Sequence, residues 1–495
     1  MSFGQTLKGV ILPKIPLKTI SDTDSSYDAK DSAYVESKSN PSAAQETGAN
    51  TPCILIGGVK LSKIETMTLD ETGFLPKISI TFIDEFGQFA GDYFPKSNLI
   101  LSLYLKVGTD KLKPVRCDFL ITKMDSVPVK YSGDSTGIGI GSTYFVKGEL
   151  YIPGLYNNSS KSFPELNSKD ALKAVCDDLG LGFAENESSP NDKMTWVKHN
   201  MSYFDFIKEV ANHAYQDDDS FFIVYIDKYY YLNYIEVNKQ LKIEDPQETF
   251  LTSSNPLAKD LNQSKKLDAQ REAIEDITIM NYLTTELRFK GKSNYITELS
   301  LLSDHGKILK TQGYKRKIYY YDSVKKSKDP SENFVDFYIE PTKSLDRDQS
   351  QYLISDDENL ASNLLVKKWM DILYGNTHKE WNSSRLINTH NHNELDKLKI
   401  KVKLNHINFQ VSKGYAVPVY ISIRYAEKLF KAGPSEAELS AKSEKLGAEL
   451  PDKQLTGHYF LSGAKYHYDS LDKNGLFTEL FLSRREWQPS KIIEE

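Results

Sequence analysis

Two stretches far apart in the chain follow the same pattern. "LILSLYLK" (Leu99 to Lys106) lies over "VPVYISIR" (Val417 to Arg424). In both, branched or long apolar residues fill one face, and Ser, Tyr and a terminal base fill the other. Successive side chains of a strand point to opposite sides, so alternation marks a strand with one buried face. Two further pairs follow in the same order. "DFLITK" (Asp118 to Lys123) lies over "YFLSGA" (Tyr459 to Ala464), and "YFVKGELYI" (Tyr144 to Ile152) over "LFTELFLSR" (Leu476 to Arg484). Strands resemble one another by composition alone, but three matches in one order point to a repeated unit. The expectation is two small antiparallel barrels of one kind. Leu101, Leu103, Val419 and Ile421 then point inward, and Ser102, Tyr104, Tyr420 and Ser422 point outward.

The region between them changes period. "NSKDALKAVCDDLG" predicts a helix capped by Ser168 and stopped by Gly180, with Leu172, Val175, Cys176 and Leu179 on one stripe. "SYFDFIKEVANHAY" predicts a second, capped by Ser202 with Asp205 three residues on. "FFIVYI" and "YYYLNYI" follow as two strands around Asp227-Lys228, a hairpin without the favoured glycine. "SDDENLASNLLVKKWMDILYGN" predicts a third helix, with Ser355 and Glu358 as its capping box and Gly375 past its end. Residues 241–275 read as polar loop, and "PSEAELSAKSEKLGAEL" as an exposed helix.

The 495 residues suffice for about three domains. The fold class expected is a β-rich α+β chain with two tube-like antiparallel β-barrels and a mixed α/β middle region. Residues 1–50 are too polar to build a core and read as an extended arm that folds along a partner chain. Residues 51–152 form the first barrel, 153–380 the middle region and 381–495 the second barrel. A net charge of −6 argues against a general nucleic-acid binder, which needs a basic face. Cys53, Cys117 and Cys176 are odd in number, far apart and form no CxxC pair, which argues against a disulfide framework or a thiolate metal site and fits a reducing compartment. The N-terminus has no secretory pattern, and no run reaches the eighteen or so apolar residues of a membrane span.

Several groups invite a chemical reading. Asp217-Asp218-Asp219 lie in the exit of the second helix; adjacent acids cannot all aim at one point, and a solvated turn is the preferred reading. His390 and His392 flank Asn391 in "NTHNHNE". On a strand both imidazoles would face one way and could share a metal, but no third ligand stands nearby, and a solvated loop before the strand at Leu398 is preferred. "IGIGSTYF" opens no helix and is a loop tip rather than a phosphate cradle. No catalytic, cofactor-binding or metal-binding residue is assigned, and no cofactor is expected.

One combination is more specific. A capped helix, "SKDALKAVCDDLGLGF", leads through "MTWVKHNMSYFDFIKEVANHAY" to "SFFIVYIDKYYYLNYI", and near the end come "YAVPVYI", "GHYFLSGAKYHYD" and "GLFTELFLSRREW". This resembles the hub proteins of contractile phage tail baseplates and the hub part of the type VI secretion spike VgrG. The family's positions fall here on Trp196, Asn200, Ser202, Phe206, Ile207, Phe221, Phe222 and Arg485-Glu486. The resemblance covers residues 150–240 and 400–487, and 50–150 through the repeat. It implies a structural trimer, not an enzyme, that matches a sixfold tail tube to a threefold central spike. Its expected partners are tail tube proteins, other baseplate subunits and passing DNA in the lumen, read without sequence recognition. No spike domain follows Trp487, so the spike is expected as a separate chain. The expected location is the virion tail baseplate, assembled in the host cytoplasm without a membrane anchor. Two other classes remain: a receptor- or carbohydrate-binding tail protein, suggested by the many tyrosines, and a peptidoglycan hydrolase, which needs a carboxylate pair in a cleft.

Overall fold

Both ends of the chain enter one sheet. The computed structural model describes residues 52–84, 100–105, 115–130, 140–241, 283–302, 315–339, 366–422 and 452–484, with short breaks inside these ranges. It also describes Phe89 and two short strands at 6–7 and 10–11. Apart from those strands, the arm at 1–50 lies outside the described residues. So do the polar stretch after residue 241, the helix expected at "PSEAELSAKSEKLGAEL", and Arg485-Glu486.

The first part of the sheet comprises β1 (Cys53–Ile56), β2 (Ile64–Asp70), β3 (Lys77–Asp84), β4 (Ile100–Leu105), β5 (Val115–Lys130) and β6 (Ile140–Leu150). Alternation sets their faces. Ile78, Ile80 and Phe82 of β3 are buried, and so are Leu101 and Leu103 of β4. The middle of the chain gives β7 (Ser159–Leu166), α1 (Ser168–Leu179), β8 (Gly182–Glu185), β9 (Met194–Met201), α2 (Tyr203–His213), β10 (Phe222–Ile226) and β11 (Tyr231–Glu236). β12 (Leu283–Thr284) and β13 (Glu298–Leu302) precede a three-stranded excursion, β14 (Lys315–Asp322), β15 (Phe334–Ile339) and β16 (Val366–Leu373). α3 (Trp381–Leu395), β17 (Leu398–Leu404), β18 (Ala416–Tyr420), β19 (Gly457–Asp469) and β20 (Leu476–Arg484) complete the chain.

The fold is β-rich, and its largest element is a 13-stranded sheet. Its main path runs β13-β17-β20-β19-β2-β3-β6-β5-β4-β1 and ends on the short strand at 59–60. Among the described residues this path has two ends and does not close. It contains one arrangement twice. In chain order, β2, β3, β4, β5 and β6 lie in space as β2-β3-β6-β5-β4; β13, β17, β18, β19 and β20 lie as β13-β17-β20-β19-β18. All neighbours within both sets are antiparallel.

The likeness extends to an irregularity. The fourth strand of each set carries a bulge, at Thr122 in β5 and at Ser462 in β19. A bulge leaves one residue outside the ladder and bends the strand. Thr122 Oγ1 donates to the Lys147 carbonyl at 3.2 Å, and Ser462 Oγ donates to the Phe481 carbonyl at 2.9 Å. Lys147 and Phe481 are the residues opposite the ladder position just after each bulge. The bulges therefore fix the equivalence of the two sets, with Ile121 matching Leu461 and Gly148 matching Leu482. The order of strands is as the sequence pairing expected, but the registers move. Against that pairing, β5 slips by one residue, and β4 and β6 by two.

Leu101, Leu103, Val419 and Ile421 are buried as expected. Of the four alternates expected to point outward, Tyr420 alone is half-buried. Ser102, Tyr104 and Ser422 are also buried. Ser102 Oγ donates to Asp118 Oδ1 at 2.9 Å, and Tyr104 packs with Cys53 and Leu55 of the adjoining strand β1. The flanking strands cover a second face that alternation alone reads as solvent.

Where β19 meets β2 the two sets join, with Tyr466 opposite Leu69 and Lys465 opposite Asp70. The β10–β11 hairpin plugs this junction. Its turn replaces the missing glycine with side-chain bonds: Asp227 Oδ1 accepts from the N–H groups of Tyr229 and Tyr231, and Tyr230 takes a left-handed backbone, φ 63°. The tip residue Lys228 is fully buried, with Nζ 2.9 Å from Glu71 Oε2, just past β2, and 3.3 Å from the Tyr466 hydroxyl. Tyr230 Oη accepts from the Asp118 N–H at 2.9 Å. One turn thus ties both sets together.

α1 is capped by Asn167 rather than Ser168, through a 2.8 Å bond from the Asp170 N–H; Ser168 instead gives its N–H to Asp192. Gly180 ends it in the left-handed region, φ 67°. α2 carries the expected cap, with Ser202 and Asp205 bonded reciprocally. The helix expected from Ser355 to Gly375 is not formed in its second half. Val366–Leu373 is a strand, paired in parallel with β14 along its length. That ladder satisfies its backbone and overrides a pattern that also suits a helix.

Removing one partner of a buried ion pair leaves a charge in a dry site and costs about 3–5 kcal/mol. Glu71→Ala is expected to lower the unfolding free energy by about that much, with Lys228→Met in the same background recovering part of it. Denaturant unfolding measures both; a Glu71→Ala change under about 1 kcal/mol would show that the junction does not depend on this pair.

Candidate assembly surface

The groups singled out for chemistry are occupied in the fold. Asp217 Oδ1 accepts from the N–H groups of Asp219 at 3.1 Å and Ser220 at 2.7 Å, so it closes the turn after α2. Partial burial raises its carboxyl, but these bonds outweigh it and hold the group below the usual carboxylate range. Asp218 accepts from the Tyr215 hydroxyl at 3.1 Å. Asp217, Asp218 and Asp219 line a shallow cleft with Glu236, whose carboxylate accepts from the Asn238 N–H at 3.0 Å and from the Lys239 N–H. Among the described residues no three His, Cys, Asp or Glu side chains gather as metal ligands.

His390 and His392 correct the loop expectation. They lie in α3, where residues two apart point to different sides, so they cannot present one pair of ligands. His392 Nε2 is 3.1 Å from the Phe222 carbonyl, and its ring meets Phe221 edge-on. The helix escapes an apolar-periodicity search because its buried face is largely polar: Asn382, Ser383, Ser384, Asn388, His390 and Asn391. Asn388 shows why polar residues fit. Its Nδ2 donates to the carbonyls of Asn212 and Ala214 at 3.0 and 2.9 Å, closing the open end of α2.

A histidine–tryptophan cluster fastens α2 to the start of α3 and the residues just before it. The His213 ring stacks on Trp381 at 3.6 Å, its Nδ1 lies 2.7 Å from the Trp381 carbonyl, and His378 Nε2 lies 3.0 Å from the His213 carbonyl. Burial pushes His213 and His378 down to about 4.

What remains open is the sheet. Its solvent-facing side carries acid–base pairs across strands: Lys77–Glu149 at 3.8 Å, Lys465–Asp70 at 3.0 Å, Lys401–Glu479 at 2.9 Å and Lys403–Glu298 at 3.4 Å. Burial raises Glu479, but the Lys401 ammonium outweighs it and holds it low. β4 covers only the first half of one edge of β5, as far as Leu120. Beyond it, residues 123–128 have a ladder partner on the β6 side only, among the described residues. Val127 there is 52% exposed and Phe145, opposite Asp125, is 44% exposed. A second open surface lies on β14–β16, where Tyr319 stacks on Phe334 at 5.2 Å and Ile372 is exposed. Sequence reasoning located neither surface, because exposure at an edge depends on which strand lies alongside. Among the described residues no helix is long and apolar enough to cross a membrane.

No family model and no curated protein matches this chain. Solved structures do. The chain is similar to a tail protein from Neisseria meningitidis MC58, at 10% identity and TM-score 0.44, over 88% of this chain and 96% of that one. It is similar to the 43 kDa tail protein of prophage MuSo2 from Shewanella oneidensis, at 10% identity and TM-score 0.46, over 88% and 99%. It is also similar to an E. coli component of the type VI secretion system, itself described as similar to the T4 bacteriophage tail proteins gp27 and gp5, at 8% identity and TM-score 0.40, over 89% and 80%. These neighbours are phage tail and type VI secretion proteins, the classes that the resemblance in the sequence named. Each is a similarity; none makes this chain a member of its family.

The two imidazoles give a signed pH dependence. Their folded-state values lie below the ordinary 6.5, so their contribution is complete above pH ~6.5 and is lost as pH falls through about 4. The urea midpoint is expected to drop over that window, and less steeply in His213→Phe. A flat midpoint from pH 6.5 to 4 would contradict the burial of these rings.

Proposed function

We propose that this chain is the structural hub of a contractile tail baseplate, a homotrimer that matches a sixfold tail tube to a threefold central spike. The observation that carries this reading is the doubled five-strand arrangement with its matching bulges. Three copies of a chain that contains one unit twice present six equivalent units. Any part present once per chain stays threefold. Closed point symmetry suits such an adaptor, since an open interface polymerises.

In this reading residues 51–152 and 381–495 supply the tube-like units, completed as barrels in the assembly, with β13 joining the second unit from the middle region. Residues 153–380 face the spike, and residues 1–50 lie along neighbouring baseplate subunits. The role is geometric rather than catalytic. The paired sheet face suits a lumen for DNA. Lysines already matched to Glu149, Asp70 and Glu479 offer little standing attraction to phosphate, so a passing duplex is not held.

The Tyr319–Phe334 face favours a second reading, a receptor- or carbohydrate-binding tail protein, because exposed aromatic rings offer a stacking platform for sugars. Tyr319→Ala separates the two: it abolishes binding to host cell-surface glycans if the second reading holds, and leaves trimer formation unchanged if the first does.

Mass photometry of the purified protein is expected to give about three times the 56.3 kDa chain mass. A chain that stays monomeric at micromolar concentration would overturn the hub reading.

A further inference from the structure

We infer that the uncovered half of β5 receives strand β13 of a second copy of this chain, in the register that β2 takes against β19. The reasoning starts from the junction inside the chain. There the edge of β19 is shared: β18 covers residues 457–460, and β2 covers residues 465–469. β5 is the strand equivalent to β19. Its first half is covered by β4, the equivalent of β18, as far as Leu120. The position that β2 fills on β19 has no strand on β5 among the described residues. The strand equivalent to β2 in the other unit is β13, so the contact that completes the pattern is β5 to β13.

Among the described residues the two strands do not meet inside one chain. β13 lies at one end of the sheet path and β5 lies beyond β6 towards the other, with the intramolecular junction between them. A second copy supplies the missing strand. Such a contact uses different patches on the two partners, and it closes into a ring when the rotation allows. The number of copies in that ring, three, rests on the hub reading above; the strand contact does not.

The bulges set the register. Ser126 on β5 is equivalent to Tyr466 and Val127 to His467. Through the β3 and β17 ladders, Leu301 on β13 is equivalent to Leu69 and Ser300 to Thr68. The intramolecular pairs Tyr466–Leu69 and His467–Thr68 then predict Ser126 opposite Leu301 and Val127 opposite Ser300. The overlap is expected to end one residue further on, where Pro128 has no N–H to give.

The chemistry at the edge fits a neighbour. At the filled junction the equivalent positions carry Lys465, His467 and Glu479, engaged with Asp70 and Lys401. On β5 and β6 the same positions are Asp125, Val127 and Phe145, and the two apolar ones are about half exposed. An open edge with apolar side chains is a template for pairing with another chain.

Cysteine pairs test the register. Directly opposite residues in an antiparallel ladder place their Cβ atoms about 4.5–5.5 Å apart, close enough for an oxidative or short bifunctional cross-link. The three native cysteines are buried, so background is low. The double variants Ser126→Cys/Leu301→Cys and Val127→Cys/Ser300→Cys are expected to give covalent dimers and trimers on a denaturing gel. Each single variant alone should give none, and a mixture of the two singles should give dimers only. A particle of trimer mass that forms no cross-link with either pair would overturn the strand contact while leaving the hub reading standing. A monomer with no cross-link would overturn both. Cross-links in particles of any other copy number would support the contact and overturn the trimer.

Discussion

The fold hinges on a buried lysine. Lys228 sits at the tip of the β10–β11 turn with its ammonium 2.9 Å from Glu71 and none of its surface exposed. A charge in that position is stable only with its partner and further bonds in place. The partner stands at the end of β2 and the Tyr466 hydroxyl comes from β19, so one side chain joins two strands that lie hundreds of residues apart in sequence. Gly463 sits on the same seam. A Cβ there would come within 2.9 Å of the Thr72 side chain and 3.0 Å of its Cα, so glycine lets the chain after β2 approach the strand just past its bulge. The middle region is therefore a clamp on the sheet as well as a domain in its own right.

That clamp explains how a doubled sheet remains in one register. Two similar units could slide by two residues without exposing an apolar face, because the side-chain period is two. The bulges at Thr122 and Ser462 resist such a slide within each unit, and the Lys228 tip resists it between units. The bulge lies in the ladder between β19 and β20, and the Lys228 tip lies at the other edge of β19, where β2 joins. β5 carries the equivalent bulge in its ladder with β6, but its other edge has no clamped neighbour among the described residues, and Val127 and, across that ladder, Phe145 stand in the open.

The sequence made some of this legible and hid the rest for physical reasons. Alternation located the strands and their order, and it assigned Leu101, Leu103, Val419 and Ile421 to the interior. It could not fix the register between copies, since slips of two residues on β4 and β6 leave the pattern unchanged. It also misjudged Ser102 and Tyr104, whose cover comes from β1, a strand that alternation within β4 cannot reveal. Capping chemistry found α1 and α2, though Asn167 rather than Ser168 holds the first. α3 stayed hidden because its buried face is built of Asn, Ser and His, with Asn388 bonding carbonyls at the end of α2 and His392 the Phe222 carbonyl, and β16 stayed hidden because its ladder partner decides its conformation. The acids at 217–219 were read as a turn, and Asp217 bonds the backbone of that turn. The open edge of β5 had no sequence signal, since it is defined by a strand that none of the described residues places there.

The central claim is that one chain carries the same unit twice and that three chains arrange six of them in a ring. End-on electron-microscope images of the purified particle test this most directly, through the rotational symmetry of class averages taken at the two faces. The account predicts sixfold density at the sheet face and threefold density at the opposite one. Particles with twofold symmetry, or with threefold density at both faces and no sixfold component, would contradict it.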